Sequence, residues 1–172
     1  MVKHMFKSSY RVTKHLCYPK FRATRKLVKE ALQGIESKIN SIELATSAEL
    51  CFAIEGALTF PALLKRTSAR TRAIQVFSNL HVWDTEDNTG VLLYFLIADR
   101  RFEIVVDRGV KAKIPQETWE RVAQEMAEKL KCSPLAEAIV FALEKIGEEL
   151  VQGFPATGKS KDEIPNSPRV LG

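Results

Sequence analysis

The chain has 172 residues, 45% hydrophobic and 27% charged, with a formal net charge of +5. That length buries one core without disulfide or metal staples, and no run approaches the roughly 18 apolar residues of a membrane span. The charge is uneven: residues 1–29 hold nine Lys or Arg and no Asp or Glu, whereas the remainder holds 17 basic and 21 acidic residues.

Residues 1–21 read as a basic arm in which Phe6, Tyr10, Tyr18 and Phe21 lie among the charges. Such an arm suits an anionic membrane surface reached through residues 1–29, or a solvated and poorly ordered terminus. No recognition-helix or RNP-like pattern accompanies it, which argues against nucleic acid. No apolar leader segment is present, so a secretory signal is not expected. Cys17, Cys51 and Cys132 are scattered and odd in number. Reduced thiols in a cytosol follow from that usage, with neither a disulfide framework nor a zinc site.

Helical spacing of Leu27, Ala31, Ile35, Ile39 and Ile42 predicts a first helix over 22–44, with Thr24 as its cap. Glu49–Glu55 alternates: Leu50, Phe52 and Ile54 face one way, Cys51 and Ala53 the other, which makes a strand. An apolar linker, 56–67, contains Pro61 as the start of one helical turn. Ser68 then caps a helix carrying Ala69, Ala73, Val76, Phe77 and Leu80. After Trp83 comes an acidic loop, Asp84 to Gly90. The run from Gly90 to Gly109, GVLLYFLIADRRFEIVVDRG, predicts an apolar hairpin turning at Asp99-Arg100-Arg101. Its near-continuous hydrophobicity predicts strands covered on both faces.

Pro115 suits the start of a helix with Trp119, Val122, Ala123, Met126 and Leu130 on one stripe. Ser133 and Pro134 read as N-cap and first residue of the last helix, whose stripe is Leu135, Ile139, Leu143, Ile146 and Leu150, closed by Gly153. Residues 155–172 hold three prolines and small polar groups and read as a disordered tail. The folded unit is thus expected over 22–154. Strands apolar on both faces need two covering layers, so the fold class is α/β: a three-layer α/β/α sandwich with a small mixed sheet.

The stretch from Val82 to Leu92, VWDTEDNTGVL, resembles the signature of short bacterial TPM-domain proteins. Glu49–Glu55, Ala98-Asp99-Arg100-Arg101, Asp107-Arg108-Gly109, Trp119 and the helix reaching Phe154-Pro155 extend the similarity over roughly 22–155. The resemblance implies the same α/β/α sandwich, binding of Ca²⁺ or another divalent ion by loop carboxylates, and a phosphatase role proposed for some members. Many relatives carry a leader, a membrane helix and a Gly-Tyr-Gly-type turn after the hairpin. Here Val106-Asp107-Arg108-Gly109 stands at that turn.

Two rims of the hairpin hold the candidate chemistry. At one, Asp84, Glu86, Asp87 and Asn88 place oxygen donors within five residues, and the returning strand brings Asp107 to the same end. Hard cations need several oxygens, and crowded carboxylates repel unless a cation or arginine intervenes. The loop is not an EF-hand, because Thr89 and Phe95 stand where Gly and Glu are required. A solvated acidic turn is the alternative. At the other rim Glu55, Asp99, Arg100 and Arg101 gather beyond the carboxyl ends of two parallel strands, where ligands of open α/β sheets bind. A charged turn with Asp99 paired to arginine is the alternative there.

Phosphatase chemistry has few footholds. No cysteine is followed by arginine at Cys-x5-Arg spacing, Asp-x-Asp is missing, and His4, His15 and His81 are scattered. Two functional classes therefore stand open. One is a cytoplasmic, non-catalytic binding or assembly module, peripheral at the inner membrane face, that docks a protein partner under divalent-ion control. The other is a metal-dependent phosphatase-like hydrolase working through Asp84, Asp87 and Asp107.

Overall fold

The alternating segment forms β1 (Glu49–Glu55) in the computed structural model, which describes residues 11–16, 22–156 and 163–171, with side chains described from residue 32 in the first long helix. That helix is α1 (Arg22–Glu43). Its Ile35, Ile39 and Ile42 are buried as the spacing requires. Thr24, Leu27 and Ala31 lie outside the described side chains, as do Phe6, Tyr10, Cys17, Tyr18 and Phe21.

After β1 come α2 (Phe60–Leu64) and α3 (Ala69–Asn79). Pro61 sits in the first turn of α2, and the Ser68 hydroxyl caps α3 by accepting from the Thr71 N–H at 3.0 Å. The hairpin is β2 (Gly90–Leu96) and β3 (Arg101–Val106). It leads into α4 (Arg108–Lys113), α5 (Gln116–Cys132) and α6 (Leu135–Gly153).

The sheet order is β3-β2-β1-β4. β1 and β2 are parallel, and β2 and β3 antiparallel, as expected from a helical crossover followed by a hairpin. Period-two side chains divide the core in two. Leu50, Phe52 and Ile54 of β1 and Leu93 of β2 join Ile39 and Leu143 from the α1, α5 and α6 layer. Cys51, Ala53, Leu92 and Tyr94 join Leu63 and Val76 from the α2 and α3 layer. The result is the three-layer mixed sandwich.

Four expectations need correcting. β3 is an edge strand, so only its second half is buried; Arg101 is exposed and Phe102 and Glu103 are half-buried. The hairpin turn occupies residues 97–100, with Arg101 already in β3. Ser133 ends α5, while Pro134 occupies the N-cap position of α6. The expected disordered tail contributes β4 (Arg169–Leu171), parallel to β1, and its Ile164 is buried. A strand this short carries no pattern of its own; the open edge of β1 supplies the order.

The start of β2 passes hard against the backbone just before the acidic loop. A Cβ at Gly90 would stand 1.8 Å from the Val82 carbonyl oxygen. Backbone, not a flexible side chain, opposes it. Gly90→Ala is therefore expected to cost about 3 kcal/mol through overpacking, read as a lower urea midpoint; an unchanged midpoint would refute the close approach.

Candidate functional site

The acidic loop folds on itself before it meets the hairpin's end. The Thr85 hydroxyl accepts from the Thr89 N–H at 2.9 Å, and Asn88 adopts a left-handed backbone, φ 56°. Asn tolerates that conformation better than most residues. Asp84, Glu86 and Asp87 are exposed. The Glu86 N–H donates to the Glu163 carboxylate at 3.1 Å, an unexpected partner from the C-terminal segment.

Asp107 does return to this rim, as the hairpin required. Its N–H donates to the Gly90 carbonyl at 2.9 Å. One carboxylate oxygen caps α4 by accepting from the Arg108 N–H at 2.7 Å. The other, Oδ2, is buried and has no hydrogen-bond partner among the described residues. Arg108 reaches across and donates its Nε–H to Asn88 Oδ1 at 2.7 Å. Gly109 donates to the Asn88 carbonyl at 3.0 Å, and a Cβ there would stand 2.6 Å from the carbonyl oxygens of both Asp87 and Asn88. The contacts joining loop and hairpin therefore run through Asp87 and Asn88, not through Asp84. Among the described residues, no three His, Cys, Asp or Glu side chains form a group able to hold a metal ion.

The opposite rim is closed by internal pairing. Glu55, 2% exposed, receives Arg72 Nε at 2.8 Å, Arg72 Nη2 at 3.0 Å and the Tyr94 hydroxyl at 2.6 Å. Burial and the bond to Glu55 push the Tyr94 phenol upward, so it remains a donor. Asp99 is held by Arg11, whose Nη2 lies 2.8 Å from Oδ2, and by His15, whose Nε2 lies 2.9 Å from Oδ1. His15 Nδ1 accepts from the Leu58 N–H at 3.0 Å. That bond assigns the proton to Nε2, which donates to Asp99. Arg100 turns away and donates to the Leu130 carbonyl. Arg101 stays exposed at the start of β3.

Part of the basic arm is thus docked: residues 11–16 form a helical segment lying over the carboxyl ends of β1 and β2. The sequence signal was the Arg11/His15 spacing of four, which aligns both side chains on one helical face. Their target, 84 residues beyond His15, left no local trace. Cys51 is buried within the sheet, and burial pushes its thiol up to about 12, which makes it an inert core residue.

Comparison with known proteins gives a family. The TPM domain matches residues 24–149. Among seven matching solved chains is the NMR structure of the BA42 protein from the psychrophilic bacterium Bizionia argentinensis sp. nov.. It shows 26% identity and a TM-score of 0.72 over 83% of this chain and 93% of that one. Comparison with curated proteins gives no match. Among the described residues no helix is long and apolar enough to cross a membrane.

Two outcomes test the closed rim. Arg72→Ala leaves Glu55 buried with only the Tyr94 hydroxyl and no opposite charge, and should cost about 3–5 kcal/mol by urea unfolding; a loss below about 1 kcal/mol would contradict the pairing. Burial raises the Asp99 pKa, but the bonds from Arg11 and His15 outweigh it and leave the carboxyl below its usual value. A lowered folded pKa adds stability that is present above the ordinary carboxyl pKa of about 4 and is lost as pH falls below it through the folded value. Asp99→Asn should therefore lower stability near neutrality and flatten the acid limb of stability against pH. An acid limb as steep as in the parent would refute it.

Proposed function

The chain belongs to the TPM-domain family, and from that premise we propose that it is a non-catalytic binding or assembly module tuned by a divalent cation at the acidic loop. The observation that carries the reading is Asp107 Oδ2, buried and without a hydrogen-bond partner among the described residues. A buried carboxylate oxygen in that state is costly, and a cation beside it removes the cost.

The donor chemistry fits a loosely held, hydrated ion better than a closed cage. Ca²⁺ accepts carboxylate, carbonyl and water oxygens together. Asp107 supplies one buried oxygen, while Asp84, Glu86 and Asp87 sit on an exposed loop free of a preformed three-carboxylate cluster. Asn88 is already engaged by Arg108, so its side chain contributes only if that bond opens. The ion's charge would relieve repulsion between the loop carboxylates.

Trp83 adjoins the loop, 47% exposed and next to the His81 ring. An exposed tryptophan beside a charge-tunable loop suits a protein partner, since such residues anchor interfaces. The acids of the other rim, Glu55 and Asp99, each spend both oxygens on internal donors. That arrangement favours binding over general acid–base work.

Calorimetry and thermal unfolding with Ca²⁺, Mn²⁺ or Mg²⁺ test the cation. At about 100 times the dissociation constant, a native-state ligand stabilises by about 2.7 kcal/mol, a rise of a few degrees in Tm. Asp107→Asn should abolish both heat and shift. Absence of either signal in the parent protein overturns the cation. Phosphomonoester cleavage that requires one of these ions and disappears in Asp107→Asn overturns the non-catalytic reading.

A further inference from the structure

Charge is divided across the sandwich. α1, α5 and α6 carry eleven Glu. The helical segment 11–16 and the whole stretch 56–83, which includes α2 and α3, carry no Asp or Glu at all. The acids that this second layer meets at the sheet's carboxyl rim, Glu55 and Asp99, are neutralised by Arg72 and Arg11. Cations that face outward from the layer therefore meet no acid of their own layer.

The same layer exposes large apolar side chains where its two smallest helices meet. The helical segment 11–16 is pinned alongside α2 at both ends: Leu58 N–H to His15, and Arg11 to the Thr67 carbonyl at 3.0 Å. Val12 and Ala62 pack inward against the core. Leu16, Phe60 and Leu64 point outward, 59%, 51% and 68% exposed. Phe60 and Leu64, four apart, share one face of α2, and exposed Lys65 and Arg66 follow directly. Leu16, next to His15, falls at the end of α2 that begins with Phe60.

We propose that this edge, formed by Leu16, Phe60 and Leu64 with Lys65 and Arg66, docks peripherally on an anionic lipid membrane. Apolar side chains enter the headgroup boundary while adjacent cations meet the acidic headgroups, which is the chemistry of interfacial binding. Residues 1–29 hold nine cations and no acid, a charge that adds long-range attraction to an anionic surface. Nucleic acid fits less well. Two leucines offer no stacking face and no donor to a phosphate, whereas both gain by leaving water for acyl chains. The proposal is independent of the cation at the opposite rim.

Flotation of the full chain with vesicles tests it. The parent protein should float with phosphatidylcholine vesicles containing phosphatidylglycerol, remain behind with phosphatidylcholine alone, and be released by high salt. Phe60→Ser with Leu64→Ser, and separately Lys65→Glu with Arg66→Glu, should each reduce partitioning about tenfold or more. Circular dichroism should show parental unfolding curves, because all four side chains are exposed. Lys131→Glu, on the other layer, should partition as the parent does. No binding to acidic vesicles, equal binding to neutral ones, or parental binding by both double variants overturns the proposal. So does retention on RNA without retention on vesicles.

Discussion

A carboxylate almost without water ends the central strand, and the carboxyl half of the sheet is arranged around it. Glu55 closes β1 at 2% exposure. Unpaired, such a group would cost several kcal/mol. Arg72 reaches it from α3 with two parallel bonds, the fork geometry that guanidinium and carboxylate share. Tyr94 reaches it from β2. One acid thereby fixes the angle of a helix against two parallel strands. Asp99 repeats the device one step further out, holding the helical segment 11–16 through Arg11 and His15. Both pairs spend a cation of the α2–α3 side on an acid at the sheet's carboxyl rim, and the remaining cations of that side have no acid of their own layer.

The sequence reading succeeded where a residue's fate depends on its near neighbours. Alternation at Leu50, Phe52 and Ile54 named both the strand and the face that meets α1, α5 and α6. Continuous hydrophobicity from Val91 to Leu96 named a strand covered twice. It overreached for β3, because hydrophobicity does not reveal that no strand lies beyond it. It failed at the termini for one reason. β4 and the 11–16 segment are too short to be ordered by their own periodicity. Both are held by distant groups: the free edge of β1 in one case, Asp99 and the Leu58 N–H in the other.

The candidate residues were legible as places but not as partnerships. Glu55 and Asp99 do stand beyond the carboxyl ends of β1 and β2, where a ligand would be sought. The partners of Glu55 lie 17 and 39 residues away and those of Asp99 lie 84 and 88, so composition alone did not show that the protein itself fills this rim. At the other rim the turn of β3 carried Asp107 back to the acidic loop. The link then bypassed Asp84 and ran through Asn88 and Arg108 instead. The arginine that stands at the hairpin's end, in place of a glycine-rich turn, is what makes that link.

Counting the candidate acids gives four at the amino rim, Asp84, Glu86, Asp87 and Asp107, against Glu55 and Asp99 at the carboxyl rim; counting satisfied oxygens says which of them are already spent. Every oxygen of Glu55 and Asp99 accepts at least one charge-assisted bond. Asp107 accepts one backbone bond on one oxygen, and its second is buried without a donor among the described residues. Native structures satisfy nearly all buried polar atoms. Exceptions concentrate where local stability has been given up for another purpose. The carboxyl rim is thus explained in full by what it holds together, whereas the amino rim is not. That asymmetry, rather than acidity, is what supports the proposed cation at the Asp107 end.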